Sequence, residues 1–256
     1  MALVGSTVAR GVATVTLDSP DNRNALSSRL QAELVDALSA ANTDDAVRVI
    51  VLDHTGPVFC SGADLKETAA AVASGEMPIS RLGEVLELIW EGPKPVVAKV
   101  GGPARAGGLG LIAACDLSIC TTSATFAFTE VRLGVIPAVI SSTVLPRLAS
   151  RAAAELYLTG SVFDGARAAE VGLVTTAVPP EMLDATVEGF VDELVRGAPA
   201  ALAGTKRLLH RHKADTFRED VAALTEVSVQ YFGSAEGVEG VRAFREKRDP
   251  SWVPER

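Results

Sequence analysis

The amino-acid sequence predicts an α/β fold built on a largely parallel sheet and closed by a purely helical region. Three observations carry this. Segments of strand character alternate with helical ones as far as about residue 178, and such alternation implies crossover connections between parallel strands. Val47-Arg48-Val49-Ile50-Val51-Leu52 is almost continuously apolar, as expected of a strand covered on both faces. Beyond 178 only helical patterns remain, near 181–195, 199–212, 216–232 and 236–247. The change divides the chain into a core at 1–196 and a helical region at 197–256, with the boundary at Gly197. No internal repeat is visible.

The elements follow in order. Leu3–Ala9 and Val12–Leu17 alternate with β-branched residues on either side of Arg10-Gly11, which predicts a two-stranded hairpin. Asp18-Ser19-Pro20-Asp21-Asn22 interrupts it as a loop. Ser28 followed by Gln31 forms a capping box. Behind it Leu30, Leu34, Ala37, Leu38 and Ala41 recur at helical spacing, so a helix is expected over about 28–42. The strand at 47–52 is followed by a glycine-bearing loop, Thr55 to Ala63, and then by helical pattern through Leu65–Ser74 and Leu82–Trp90. Pro95 to Val100 reads as the next strand. Gly101-Gly102-Pro103 and a second cluster, Gly107-Gly108-Leu109-Gly110, then lead to a short buried helix at Leu111–Ala114 and a strand at Leu117–Cys120.

Composition narrows the function. A chain of 256 residues with 48% hydrophobic and 22% charged residues is long enough for a sizeable core and excludes disorder. Aromatic residues make up only 5%, so the core is made of Ala, Val, Leu and Ile. With 24 basic and 32 acidic residues the net charge is −8, which argues against wholesale affinity for nucleic acid or anionic membrane. An anionic ligand must therefore be met by local cations or backbone dipoles. Cys60, Cys115 and Cys120 are odd in number and lack zinc-like spacing. Reduced, mostly buried thiols in a cytoplasmic protein without a metal are expected. The first residues lack the basic and apolar regions of an export signal. No apolar run approaches the roughly 20 residues of a membrane span.

Several motifs lose their force in context. Gly108-x-Gly110-x-x-Ala113, with Glu130 downstream, matches a loose dinucleotide fingerprint. Such a turn follows its strand directly, however, and here seven residues including a proline separate it from Val100. His210 and His212 lie two apart on a predicted helix and point to different faces. His54, after a strand, reads as a packed or capping side chain. Two glycine-bearing segments remain, Val58 to Leu65 and Ala104 to Leu111, each after the carboxyl end of a presumed parallel strand, where open α/β sheets bind ligands. A helix begins just beyond each. Helix N-termini carry unpaired N–H groups and partial positive charge, so two facing one point would make a backbone oxyanion site. On composition alone the segments read equally well as ordinary glycine turns.

Together these residues resemble the enoyl-CoA hydratase/isomerase (crotonase) superfamily. The resemblance runs through Asn24-Ala25-Leu26, Ser61-Gly62-Ala63-Asp64-Leu65, Gly107-Gly108, Ala114-Cys115-Asp116-Leu117, Phe126 to Gly134, and Ala243 to Arg248. It implies a repeated ββα spiral core with a C-terminal helical region that packs between subunits of a homotrimer or a hexamer made of two trimers. It also implies an acyl-CoA substrate, of which coenzyme A is part, with no separate cofactor. The amides of Ala63 and Gly107 are implied as the oxyanion donors. Two-carboxylate hydratases of the family carry a glutamate three residues after the oxyanion glycine, where this chain has Gly110. The second carboxylate position corresponds to Glu130, so the chain resembles a one-glutamate member. Glu130 also has a structural reading, in the first turn of a short helix capped by Thr129 and closed at Gly134.

The implied activity is hydration of a 2-enoyl thioester, with Glu130 as acid and base; isomerisation, other enolate chemistry or non-catalytic acyl-CoA binding are the alternatives. Burial in an apolar pocket is expected to raise the pKa of Glu130. Gly62, Asp64, Leu65, Gly108 and Gly110 are the implied substrate contacts, Asp64 and Asp116 reading also as capping or turn residues. Arg23, Lys66 and Lys247, with Arg248, are candidates for the coenzyme A phosphates. The missing side chain at Gly110 reads as enlarging the pocket or making it less acidic, which suits a branched or acid-bearing acyl chain of the 3-methylglutaconyl kind.

Overall fold

The computed structural model describes residues 2–74, 80–211 and 216–253. Strands β1 (Val4–Ala9) and β2 (Val12–Leu17) form the predicted hairpin. Its two turn residues, Arg10 and Gly11, have φ of 49° and 81°, the left-handed pair that matches the twist of the flanking strands. The main sheet then adds β3 (Val49–His54), β4 (Val96–Val100), β6 (Leu117–Thr121) and β9 (Thr176–Val178), in the spatial order β1-β2-β3-β4-β6-β9. Every pairing after the hairpin is parallel. A second sheet joins β5 (Ala104–Arg105), β7 (Thr125–Ala127) and β8 (Phe163–Asp164). With two or three residues each, these strands are too short to show periodicity in sequence.

The two faces of the main sheet explain its apolar runs. Ile50, Leu52, Val96 and Ala98 point into the larger core, with Leu30, Leu34 and Leu38 of helix α1 (Ser28–Thr43). Val49, Val51, Val97 and Ile119 point the other way, against Leu183, Val187 and Val191. Helices α2 (Leu65–Ser74) and α3 (Leu82–Trp90) lie where predicted. Helix α4 (Gly107–Ala114) starts four residues before the expected Leu111 and takes in the whole glycine cluster. At α1 the capping box is corrected. Ser27 caps, its Oγ accepting from the Leu30 amide at 3.2 Å, while Gln31 is drawn away to the Leu26 carbonyl and the Arg81 amide.

Helices α5 (Ala138–Val144), α6 (Ser150–Thr159) and α7 (Gly165–Glu170) lead into the closing set of α8 (Leu183–Val195), α9 (Pro199–His210), α10 (Phe217–Phe232) and α11 (Ala235–Glu246). The closing helices pack on the core of their own chain. His210 stacks on Trp90 at 4.0 Å between ring centroids, and Phe217 at 5.2 Å. His212 falls outside the described residues. His54 is the packed side chain expected, its Nε2 accepting from the Gly101 amide at 3.1 Å. All three cysteines are free and buried, and burial pushes the Cys60 and Cys120 thiols up to about 12.

Candidate active site

Two loops converge after the carboxyl ends of β3 and β4. Asn24, fully buried, holds the first: its Nδ2 donates to the carbonyls of Thr55 and Val58 at 3.0 and 2.8 Å, and its Oδ1 accepts from the Ser19 amide. The Ser61 amide donates to the Arg23 carbonyl and the Leu26 amide to the Gly62 carbonyl. The second loop runs alongside, with the Arg105 amide donating to the Cys60 carbonyl at 2.9 Å. Gly62, at φ +88°, is where they meet. A Cβ there would lie 3.0 Å from the Ala106 Cβ and 3.2 Å from the Arg105 carbonyl oxygen.

Ala106 itself has φ 46° and ψ −117°, a strained turn that costs of order 1–3 kcal/mol and that proteins keep at functional sites. It aims the next amide, Gly107, out of the first turn of α4, where no intrahelical acceptor exists. The amides of Ala63 and Gly107 donate to no protein acceptor among the described residues. Both residues line one cavity of about 140 Å³, together with Glu130, Leu26, Ile140 and Phe232. The two sequence-distant loops are therefore brought together.

Glu130 lines the same cavity from the start of a 3-10 turn, Glu130–Leu133, which follows β7. Arg132 anchors that turn by donating to the carbonyls of Thr159 and Gly160. Thr129 does not cap it with its side chain, contrary to expectation, whereas Gly134 closes it at φ 68° as expected. Helix α11 packs directly on the turn, and a Cβ at Gly240 would fall 2.1 Å from the Leu133 carbonyl oxygen. Glu130 is only 7% exposed, and its Oε2 has no hydrogen-bond partner among the described residues. Burial pushes its pKa up to about 7, because desolvation disfavours the carboxylate.

The other acids in the cavity are occupied. Asp64 Oδ1 accepts from the Lys66 and Glu67 amides and its Oδ2 from Asn22 Nδ2, so it caps α2 as its structural reading required. Glu67 Oε2 accepts from the Ser28 amide at 2.9 Å. The cavity wall also includes Thr225, Ser228, Val229 and Phe232 of α10. Sequence reasoning missed these; their spacing shows one face of a helix but not what that face covers.

Other expected contacts stand further off. Leu65 begins α2 and does not line the cavity. Gly108 is a packing glycine, where a Cβ would lie 2.8 Å from the Cys60 Cβ. Gly110 corrects the pocket reading: a Cβ there would meet Ile140 Cγ2 at 2.4 Å, so Ile140 occupies the space and none is added to the cavity. Arg23, Lys66 and Lys247 are exposed and outside the cavity lining. Arg248 is engaged by Glu239 at 2.6 and 2.9 Å and by Glu246 at 2.7 Å.

The chain matches the family profile described as Enoyl-CoA hydratase/isomerase over residues 7–255. It is 31% identical to a Bacillus subtilis protein named "Probable enoyl-CoA hydratase", over 100% of both chains. It is also 43% identical to the crystal structure of an enoyl-CoA hydratase from Mycobacterium avium, covering 99% of this chain and 100% of that one with a TM-score of 0.88. A methylmalonyl-CoA decarboxylase in complex with 2-nitronate-propionyl-CoA is 28% identical, with 98% of each chain covered and a TM-score of 0.84. The chain belongs to the enoyl-CoA hydratase/isomerase family, and its mixed α/β architecture is the crotonase fold. None of the helices is long and apolar enough to cross a membrane, among the described residues.

Proposed function

We propose that the protein is an enoyl-CoA hydratase-like lyase that adds water across the 2,3 double bond of an acyl-CoA thioester. The observation that carries this is the buried Glu130 carboxyl, its Oε2 without a hydrogen-bond partner among the described residues, lining one cavity with two backbone amides that have no protein acceptor there. The amides of Ala63 and Gly107 hold the thioester oxygen and stabilise its charge as the enolate forms. One such donor is worth roughly 3–4 kcal/mol in comparable sites. Glu130 takes a proton from water as the hydroxyl oxygen bonds to C3, and returns that proton to C2. A single carboxylate suffices if both events occur on one face. Arg23, Lys66 and Lys247 meet the coenzyme A phosphates at the rim, and no further cofactor takes part. Closing helices that also pack between subunits would make a trimer or a pair of trimers, which sedimentation would read as three or six chain masses.

The test is turnover of crotonyl-CoA by the purified protein, followed as loss of the conjugated enoyl-thioester absorbance. Hydration supports the reading. Shift of the double bond in a 3-enoyl-CoA without hydration replaces it with isomerisation, which a single proton carrier can also perform. Loss of carbon dioxide from a malonyl-type thioester would point to decarboxylation, the activity named for one similar structure. Tight thioester binding without turnover would leave a binding module. Because Glu130 must be ionised to take a proton from water, kcat/KM for hydration should rise with pH and level off above an apparent pKa near 7. A flat profile between pH 5 and 9 would exclude Glu130 as the base.

A further inference from the structure

One turn beyond the Gly107 amide, the site is bounded by a contact between two helices that leaves no freedom at one point. Helix α4 is buried along its whole length, and Thr143 of α5 ties the two helices together where they cross, its Oγ1 donating to the Gly110 carbonyl at 3.2 Å. Ile140, one turn earlier on α5 and 3% exposed, lies over Gly110 and lines the cavity. A Cβ at position 110 would sit 2.4 Å from Ile140 Cγ2 and 2.9 Å from its Cβ. Those are the branch atoms of a β-branched side chain in a helix, where one χ1 rotamer is strongly preferred. They cannot swing aside as the tip of a longer side chain could. A side chain at 110 and an isoleucine at 140 are mutually exclusive.

We propose that Ile140 is the specificity-determining residue of this pocket, and that the acyl group it admits is an uncharged alkyl chain. The proposal rests on the acyl-thioester reading above and adds to it the class of acyl group. Ile140 replaces whatever polar group position 110 could have offered with a hydrocarbon surface beside the acyl chain. Leu26, Leu82, Val139, Val229 and Phe232 extend that surface, while no Lys, Arg or His side chain lines the cavity among the described residues. The charged groups that do line it are Asp64, Glu67 and Glu130. An acyl chain ending in a carboxylate would be desolvated there without a cation and among like charges. The structure thus reverses the expectation that Gly110 suits acid-bearing acyl chains.

The experiment compares wild type with Ile140→Ala on crotonyl-CoA, 3-methylcrotonyl-CoA and 3-methylglutaconyl-CoA, which differ in turn by a branch methyl and a carboxylate. The ratio of kcat/KM for 3-methylcrotonyl-CoA over crotonyl-CoA should rise at least ~10-fold in Ile140→Ala, the scale of one methyl group in an apolar pocket. The acid-bearing substrate should remain the poorest in both proteins. An unchanged ratio, or preference for 3-methylglutaconyl-CoA in wild type, overturns the proposal. Dissociation constants of butyryl-CoA and isovaleryl-CoA test the same wall without turnover, so failure of the hydration reading would be seen separately. Should Ile140→Ala fold poorly, Gly110→Ala provides a second route. Alone it should lower the unfolding midpoint by ~5 °C or more, and Ile140→Leu/Gly110→Ala, which removes the Cγ2 branch that the new methyl would strike, should recover part of that loss. A Gly110→Ala protein as stable as wild type would refute the contact.

Discussion

Glu130→Gln should lower hydration turnover by about 100-fold or more, the scale of general acid–base catalysis, while acyl-CoA affinity changes little. The carboxamide keeps the shape of the side chain but cannot take a proton from water. The same substitution should have an opposite effect on stability that depends on pH. The folded-state pKa of Glu130 is raised from an ordinary 4.5 to about 7. A carboxyl so raised contributes no penalty below pH 4.5, where both states are protonated. As the pH rises from 4.5 to 7 the unfolded chain ionises first, and the folded state loses stability relative to it. The loss is complete above the folded-state value and amounts to about 3 kcal/mol. Wild type at pH 8 should therefore unfold at lower urea than Glu130→Gln, and the gap should close at pH 5. Equal turnover would remove Glu130 from the mechanism, and a stability gap independent of pH would show that folding does not raise its pKa.

Much of this architecture was legible in the sequence, for identifiable reasons. The hairpin, α2, α3 and the parallel strands β3, β4 and β6 have strong periodicity or long apolar runs, and the structure places them within a residue or two, whereas the three-residue β9 carries no such signal. Glu130, Ala63 and Gly107 were assembled by resemblance, since nothing local links a turn at 62–64 to one at 106–108. What joins them is the missing Cβ of Gly62 against Ala106, a contact that sequence spacing does not encode. The errors share a cause. Ser27 and Ser28 are equally good caps on paper, and tertiary bonds to Ser80 and Arg81 decide what Gln31 does. Gly110 displays the absence of a side chain, but what fills the space arrives thirty residues later in Ile140. The cavity wall from α10 depends on how the closing helices fold back, which the pattern of one helix cannot reveal.

That folding back has its own anchor, and removing it should give the largest stability loss of any substitution considered. Lys206 of α9 is 5% exposed, and its Nζ lies 2.8 Å from Asp116 Oδ2, donating also to the carbonyls of Ile89 and Lys94 at 2.7 and 3.0 Å. The same Asp116 oxygen accepts from the Val96 amide at the edge of β4. Asp116→Ala would leave a buried ammonium facing only carbonyl dipoles and would orphan that amide. The expected cost is about 3–5 kcal/mol, the range seen when one partner of a buried pair is removed. Adding Lys206→Met should restore part of it, because the uncompensated charge leaves with the lysine. Urea unfolding of the two single variants and the double variant measures this directly. A strictly additive double variant would mean that the ion pair carries no coupling and that α9 is held by the stacked rings of Trp90, His210 and Phe217 instead. If coupling is found, Asp116→Ala should also weaken acyl-CoA binding. Helix α10 follows α9 and supplies Val229 and Phe232 to the cavity, so loosening the anchor loosens a wall of the site.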